Sequence, residues 1–352
     1  MSKTSLRIMY MNVENLFSPG QSFYGSQYDQ QEYDDKVNWI ADKIARAHVH
    51  VVGLTEIGEI ATTCIADILY ALSNNDPTGW PAFQHEFCAQ AGKGGTKIRN
   101  AVISRFPLTN TESLVNFPSG FQVDLYKPGT NSDSQNNWVT VSTSEYNRPV
   151  AKVTVNPPNG AKPFNFFVVH LKSKRPIKAS HDDYNEAIGI ARSAIQRNVE
   201  AAALRYYMDS FLPVQQADNN TVPTMVGGDF NDTPTAVPVE NIRGSFDRKP
   251  GPSSTWSNQD KLRLVSCARL HLKTNAYEDK LFSYVHNESF TLIDHAFVTE
   301  HLPKKFSRME IYNDHVFRHH DLSSPTEQEL QWKSKVSDHG IVVIEFKRML
   351  KF

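Results

Sequence analysis

The sequence lacks the features that mark several classes of protein. Its three cysteines, Cys64, Cys88 and Cys267, show no CxxC spacing, which argues against a disulfide framework and against a structural zinc site. No run of about 18 apolar residues occurs, so no membrane-spanning helix is expected. Lys and Arg together number 37 against 38 Asp and Glu, for a net charge of -1. Any polyanion must therefore be bound by a local positive patch rather than by a global positive field.

An internal repeat and a long linker are also absent from the sequence. The 352 residues would suffice for one large or two ordinary domains, and without a linker we expect one domain spanning 1–352. The N-terminal residues include no apolar stretch of signal-peptide length. This predicts a cytoplasmic protein, or a secreted one if a leader has been removed. Neither a membrane nor an obligate protein partner is expected.

The spacing of apolar residues predicts alternating strands and helices. A period of two near the N-terminus predicts a strand that ends at Asn12, and a spacing of three and four predicts a helix over 33–47. A longer helix is expected at about 181–212, ended by Pro213. The polar stretch at about 118–147 is interpreted as a surface insertion. Alternation of the two element types indicates the α/β class.

Polar side chains follow several of the predicted strands. In chain order they are Asn12, Glu56, His170, Asp229 with Asn231, Asp294, and Asp338 with His339. In α/β folds ligands collect beyond one end of the strands, so these side chains could meet in one cleft.

Taken singly, these residues have simpler explanations. Glu56 could cap a helix that begins at Ile57. Asp229 and Asn231 could form an Asx turn, and His170 could be a hydrogen-bonded structural histidine. Only their order along the chain and the identity of the neighbouring residues favour a shared function.

Six short motifs carry a resemblance to a known family. They are Asn12-Val13-Glu14-Asn15-Leu16-Phe17, Leu54-Thr55-Glu56, His170-Leu171-Lys172-Ser173-Lys174, Gly227-Gly228-Asp229-Phe230-Asn231-Asp232, Ile293-Asp294-His295 and Ser337-Asp338-His339. In this order they resemble the endonuclease/exonuclease/phosphatase superfamily, in particular its extracellular-nuclease-like branch. The resemblance implies a four-layered α/β sandwich of the deoxyribonuclease I type, with two central mixed β-sheets flanked by helices. It also implies an active site at one edge of the sheets.

The resemblance further implies the roles of the site residues in phosphoester hydrolysis. Mg²⁺ would be held by Glu56 and Asp338 with Asn12 beside them, with Mn²⁺ able to replace it and Ca²⁺ as a further candidate. The catalytic group would contain His170, Asp229, Asn231, Asp294 and His339. In it Asp229 is the expected general base, and the carboxylate of Asp294 would orient the imidazole ring of His339. His170 would steady the phosphoryl group or donate a proton to the departing oxygen.

Further residues near these motifs are candidates for substrate contacts. They are the cations Arg99, Arg148, Lys172 and Lys174, the amide Asn100, and the ring side chains Tyr284 and His286. Cations suit phosphate groups, and rings suit the stacking of bases. For each lysine the simpler explanation is a solvated basic loop, and Tyr284 could equally be a packed surface aromatic.

A nucleic acid, with DNA favoured over RNA, is the expected substrate. The NVENLF and HLKSK motifs resemble nonspecific DNA-cleaving members, and the sequence departs from the abasic-site branch, which carries an Asn-x-Tyr pattern where this chain has His170-Leu171-Lys172. Two alternatives stay open. One is a phosphomonoesterase or a lipid or inositol phosphodiesterase that uses the same centre. The other is a catalytically silent module that binds nucleic acid.

Overall fold

Two six-stranded β-sheets form the centre of the protein. The computed structural model describes residues 4–75, 81–91, 97–126, 138–178, 185–216, 221–244, 262–274, 281–286, 288–316, 326 and 332–350. The surface insertion expected at about 118–147 lies partly outside the described residues. Its described part includes the strands β6 (Asp124–Tyr126) and β7 (Trp138–Thr140), which pair antiparallel.

The first sheet is mixed and contains the N-terminal strand. Its members are β1 (Leu6–Leu16), β2 (Val51–Ile57), β3 (His85–Cys88), β4 (Arg99–Ser104), β15 (Phe306–Tyr312) and β16 (Ile341–Phe346). They are arranged in the order β15-β16-β1-β2-β4-β3. β1 runs parallel to β2 and antiparallel to β16, so β1 and β2 end at the same edge of the sheet.

The second sheet is also mixed. Its members are β5 (Leu108–Asn116), β8 (Glu145–Val155), β9 (Phe164–His170), β10 (Thr224–Asp229), β11 (Leu264–Ser266) and β14 (Asp294–Thr299). They are arranged in the order β11-β14-β10-β9-β8-β5. β9 and β10 are parallel neighbours, and His170 pairs with Asp229 at their common end. A separate hairpin is formed by β12 (Tyr284–His286) and β13 (Ser289–Thr291).

Helices cover the outer faces of the two sheets. They are α1 (Gln30–Ala47), α2 (Ala61–Asn75), α3 (Glu186–Gln216), α4 (Val237–Arg243) and α5 (Cys267–Thr274). One apolar cluster joins α1 and α2 to the first sheet, and another joins α3 and α4 to the second. The predicted fold class, a four-layered α/β sandwich with two mixed sheets, is therefore confirmed. Within the described residues, no helix is long and apolar enough to cross a membrane.

The two sheets pack against each other through a third apolar cluster. Alternate residues of β1 point to opposite faces, so Ile8 and Tyr10 enter this central layer while Met9 contacts the helices. The ring of Tyr10 stacks on Phe166 with centroids 4.9 Å apart. Gly53 faces the same ring, and a Cβ atom there would lie 2.6 Å from Val168 Cγ2. The close approach of the sheets thus requires glycine at this position.

Several elements differ from their sequence prediction. β1 does not end at Asn12 but continues to Leu16 through an irregularity in its pairing. α2 begins at Ala61 and Ile57 belongs to β2, so Glu56 does not cap a helix that begins at Ile57. Helix α3 continues past Pro213 to Gln216, because a proline in the last turn removes only one backbone hydrogen bond.

The close packing of the sheets predicts the effect of enlarging Gly53. We expect Gly53→Ala to lower the free energy of unfolding by about 1–3 kcal/mol, because an added methyl group overpacks the central layer. Urea denaturation followed by circular dichroism measures this difference. The exposed helical control Thr63→Ala should change stability by less than about 0.5 kcal/mol. Equal stability of wild type and Gly53→Ala would contradict the packing described for this position.

Candidate active site

The ends of four central strands, the start of a fifth and one turn bring the predicted polar residues into a single cleft. β1 and β2 supply Asn12 and Glu56 from the first sheet. β9 and β10 supply His170 and Asp229 from the second sheet. The remaining residues come from the start of β14 and from the turn before β16. The cleft therefore lies between the two sheets, at the edge that the strand directions predict.

Asn12 lies buried at the centre of the cleft and links the two sheets. Its Nδ2 atom donates hydrogen bonds to Glu56 Oε1 at 3.2 Å and to Asp229 Oδ2 at 3.1 Å. Its Oδ1 atom accepts a hydrogen bond from the backbone N–H of Glu14 at 2.8 Å. Its amide nitrogen, rather than its oxygen, therefore faces the carboxylates, and the place of Asn12 beside a metal ion stays a prediction.

An irregular segment of β1 adds a carboxylate that the sequence interpretation did not assign to the site. Glu14 and Asn15 have φ angles of 51° and 57°, in the left-handed region. The N–H of Asn15 donates to Glu56 Oε2 at 3.1 Å, and Glu14 Oε2 accepts from the N–H of Asp338 at 3.0 Å. Burial, followed by the charge of Asp338, raises the pKa of Glu14 to about 8. Glu14 lies within the NVENLF motif, and this motif was the sequence signal that could have identified it as a site residue.

Asp229 is the most buried carboxylate of the cleft, with 1% of its surface exposed. Burial raises its pKa to about 7, while His339 acts in the opposite direction. Asn231 orients this carboxylate, since its N–H donates to Oδ1 at 2.8 Å and its Nδ2 atom donates to Oδ2 at 3.0 Å. A carboxylate with a raised pKa and fixed orientation is suited to accept a proton near neutral pH.

The two histidines of the cleft have opposite protonation preferences. Burial alone would lower the pKa of His339, but the charges of Asp294, Asp229 and Asp338 outweigh it and raise that pKa well above 6.5. Asp294 Oδ2 accepts a hydrogen bond from His339 Nδ1 at 2.8 Å, as the sequence interpretation expected. Burial, followed by the charge of Arg148, lowers the pKa of His170 well below 6.5. These directions favour the imidazolium form of His339 and the neutral form of His170 near pH 7.

Two groups of side chains in the described residues could hold a metal ion. The first is Glu56, His170 and Asp229, and the second is Asp229, Asp294 and His339. In each group the potential ligand atoms lie within 4.8 Å of one another. Only the first group contains Glu56, the expected metal ligand, and carboxylate oxygens fit Mg²⁺. Asp338 belongs to neither group, and its Oδ1 atom lies 3.8 Å from His339 Nε2.

Three of the predicted substrate contacts bind the protein's own backbone instead. Asn100 is buried and its Nδ2 atom donates to the carbonyls of Pro149 and Val168, at 2.8 and 3.4 Å. Arg148 is also buried and donates to the carbonyl of Leu171 at 2.9 Å. The ammonium of Lys172 donates to Ser173 O and Arg175 O at 3.1 and 3.2 Å. The charges of Arg148 and Lys172 still act on His170.

The other predicted contacts lie closer to solvent. Lys174 is exposed and its Nζ atom lies 3.3 Å from Asp232 Oδ1. Arg99 is half-buried at the start of β4, where it donates to the carbonyl of Ile98 at 3.2 Å. The ring of Tyr284 lies 5.1 Å from the ring of His339, so this hairpin borders the cleft.

His286 is the second residue of this hairpin whose ring lies beside the cleft. The imidazole of His286 stacks beside Tyr284 with centroids 6.3 Å apart, and His286 is exposed. Residues i and i+2 of a strand project from the same face, which explains why the two rings are neighbours. Together with His339 they form a row of three rings that extends from the cleft to solvent.

Buried charged residues of α3 hold the loops that carry His170 and Asp229. Arg197 donates to Asp232 Oδ2 at 3.0 Å and to the carbonyl of Lys172 at 3.1 Å. Glu200 accepts from the N–H of Lys172 at 2.8 Å and of Asn147 at 3.0 Å. The sequence interpretation did not select these residues, because apart from their burial nothing separates them from ordinary charged residues of a helix.

The turn that contains Asp338 and His339 is held in a similar way from the first sheet. Lys36 of α1 is buried and donates to the carbonyl of Val336 at 3.3 Å. His315 donates from Nε2 to the carbonyl of His339 at 2.8 Å. Ser337 donates to the carbonyl of Asn12 at 2.8 Å. The backbone of this turn is therefore fixed on both sides of Asp338.

Solved structures of low sequence identity share this fold. An endonuclease/exonuclease/phosphatase family protein from Leptotrichia buccalis C-1013-b is 12% identical, with a TM-score of 0.52 over 97% of this chain and 99% of that chain. Truncated TDP2 from Caenorhabditis elegans is 12% identical, with a TM-score of 0.52 over 97% and 98%. The human Nocturnin catalytic domain with bound sulfate is 14% identical, with a TM-score of 0.53 over 98% and 95%.

These likenesses concern the fold alone, because the identities are low. No curated protein matches the chain. A family model with the description "Endonuclease/Exonuclease/phosphatase family" matches residues 34–339, which span most of the sequence and contain Glu56, His170, Asp229 and His339. The chain therefore belongs to the endonuclease/exonuclease/phosphatase family.

Proposed function

We propose that this chain is a divalent-metal-dependent phosphodiesterase that hydrolyses nucleic acid, with DNA as the expected substrate. Members of its family are hydrolases that act on phosphoester bonds. The observation that carries the proposal is that a candidate proton acceptor and a candidate proton donor lie close together in the cleft. The carboxylate of Asp229 has a pKa raised to about 7 and lies 3.9 Å from Nε2 of the protonated His339.

A phosphodiester resists hydrolysis because its negative oxygens repel an attacking nucleophile. An enzyme must neutralise that charge, activate water and protonate the departing oxygen. Glu56 and Asp338 would hold Mg²⁺, and a bound Mg²⁺ would neutralise charge on the phosphoryl group. Asn12 keeps the Glu56 and Asp229 carboxylates in place through the two hydrogen bonds of its amide.

In the proposed reaction Asp229 accepts a proton from the attacking water. The water oxygen forms a bond to phosphorus, and the bond between phosphorus and the departing ester oxygen breaks. That oxygen takes up a proton, and of the two histidines only His339 carries one to donate near pH 7. Neutral His170 and the Asn231 amide would donate hydrogen bonds to the phosphoryl oxygens.

Charge and ring surfaces beside the cleft support a nucleic acid as the substrate. Lys174 and Arg175 are exposed on the loop that follows His170, where they could meet phosphate groups. Tyr284 and His286 provide rings on which a base could stack. A small phosphomonoester would need neither feature.

A panel of substrates tests the proposed substrate class. With Mg²⁺ present, we expect cleavage of plasmid DNA and of single-stranded DNA, because the cleft has phosphate-binding and ring surfaces beside the catalytic group. RNA, a chromogenic phosphodiester and an inositol phosphate are assayed in parallel. Inert nucleic acids together with a hydrolysed lipid headgroup or inositol phosphate would contradict the nuclease assignment.

Removing the general base or the imidazolium should abolish most of the activity. We expect Asp229→Ala and His339→Ala each to lower kcat by at least ~10²-fold, the scale of losing a positioned base or a transition-state donor. Circular dichroism and thermal unfolding check that both variants are folded. The control Asp34→Ala, on the exposed face of α1, should retain wild-type turnover. Near-wild-type rates in both folded variants would refute the roles given to these residues.

Metal dependence is a separate prediction. EDTA should abolish activity, and Mg²⁺ or Mn²⁺ should restore it. We expect Glu56→Gln to weaken Mn²⁺ binding by about tenfold or more, because a neutral amide replaces a charged ligand. Electron paramagnetic resonance of free Mn²⁺ measures binding without reference to turnover. Glu59→Gln, three residues away and exposed, is the matched control. Activity that persists after chelation would contradict the predicted metal dependence.

A further inference from the structure

The loop between β1 and α1, residues 17–29, is anchored beside the cleft by aromatic side chains. The ring of Phe23 stacks on Phe17 at 5.2 Å and contacts Tyr28 at 4.8 Å, measured between centroids. The hydroxyl of Tyr28 donates to the carbonyl of Glu14 at 3.4 Å. The loop is thus attached to the same irregular segment of β1 that supplies a carboxylate to the catalytic cleft.

A tight turn at the tip of this loop presents Tyr24 to solvent. Phe23 and Ser26 exchange two backbone hydrogen bonds, both of 2.8 Å. The residues between them, Tyr24 and Gly25, have φ angles of 48° and 87°, as a type I′ turn requires. Tyr24 is 64% exposed. Tyrosine at such a position is unusual because Asn, Asp and Gly adopt these angles at lower cost, so the exposed ring calls for a functional explanation.

Arg175 faces Tyr24 from the other side of the cleft. It lies on the loop that follows β9, and its backbone carbonyl accepts hydrogen bonds from Lys172 Nζ at 3.2 Å and Ser193 Oγ at 2.6 Å. Its guanidinium carbon lies 4.8 Å from the centroid of the Tyr24 ring. In the part of the chain that the structure describes, no carboxylate lies within 4.0 Å of this guanidinium, whereas the neighbouring Lys174 pairs with Asp232. Arg175 therefore keeps its positive charge available.

The pair lies within reach of a strand bound in the cleft. Arg175 follows His170 by five residues, which span at most about 17 Å of extended chain. A nucleic acid strand advances about 3.4 Å per nucleotide along its axis in a duplex. The pair is therefore at most about five nucleotides from the scissile phosphate by these measures.

We propose that Tyr24 and Arg175 form a subsite for one nucleotide of the substrate strand, outside the catalytic group. A base stacks on the exposed face of the Tyr24 ring, and the guanidinium of Arg175 contacts the adjoining phosphate. This inference rests on the proposed nuclease function and adds a determinant of substrate selection to it. The ligand class is an unpaired nucleotide of a single strand or of an opened duplex end, because stacking on Tyr24 requires a base that is free of its partner.

The test compares a long and a small substrate on the same variants. For each variant we would measure kcat/KM for a single-stranded DNA oligonucleotide and for a chromogenic phosphodiester that is too small to reach Tyr24. We expect Tyr24→Ala, Tyr24→Leu and Arg175→Ala each to lower the ratio of the first value to the second by about fivefold or more, the lower range for loss of one base–aromatic stack. Tyr24→Phe should retain the ratio, because the ring is kept.

Matched controls are available on remote helices. Tyr70→Ala removes an exposed tyrosine of α2, and Arg46→Ala removes an exposed arginine of α1. Both should leave the ratio unchanged. A ratio within twofold of wild type for Tyr24→Ala and Arg175→Ala would overturn the subsite alone. So would an equal loss on both substrates, which would indicate an effect on the catalytic group. Wild-type protein that cleaves the chromogenic diester but no nucleic acid would overturn the nuclease proposal together with the subsite.

Discussion

Repulsion among buried and half-buried carboxylates is the constraint on which the rest of this site depends. Glu14, Glu56, Asp229, Asp294 and Asp338 approach one another at a single edge of the sandwich. Such a group is stable only where positive charge and hydrogen-bond donors offset the repulsion. The imidazolium of His339 and the amide of Asn12 supply part of this compensation, and a divalent cation would supply more. Burial, and after it the charges of Asp294 and Glu56, raises the pKa of Asp229, the group proposed to activate water.

Two sets of hydrogen bonds, one on the side of each sheet, hold the loops that carry the site residues. On the second sheet, Arg197 and Glu200 bind the loop after β9, and Arg197 also bonds Asp232. On the side of the first sheet, Lys36 of α1 donates to the carbonyl of Val336, and His315 donates to the carbonyl of His339. These two carbonyls lie on either side of Asp338. Apart from the Arg197–Asp232 pair, these contacts act on backbone atoms. They preorganise the charged side chains, which is where most of the electrostatic advantage of an enzyme arises.

Strand and helix periodicity predicted the α/β class, and the resemblance carried by the six motifs implied the two-sheet sandwich. The end of β1 was predicted four residues too early, at Asn12 rather than at Leu16. The sequence did not predict Glu14 as a member of the cleft, since the left-handed turn that extends β1 beyond Asn12 depends on contacts with Glu56 and Asp338. Long-range contacts also explain why Asn100 and Lys172, predicted to contact substrate, bind backbone atoms of the protein. Their residue types suit phosphate, yet tertiary structure directs both toward backbone carbonyls. Burial of charged helix residues is equally invisible in one sequence.

Locating a bound cation tests the electrostatic basis of the site most directly. Crystals grown or soaked with Mn²⁺ would be measured at a wavelength where manganese scatters anomalously. We expect a peak in the cleft with an oxygen of Glu56 at about 2.1 Å, and with Asp338 bound directly or through water. Protein that is active with Mn²⁺ but shows its only manganese peak away from Glu56 and Asp338 would contradict this arrangement of charges.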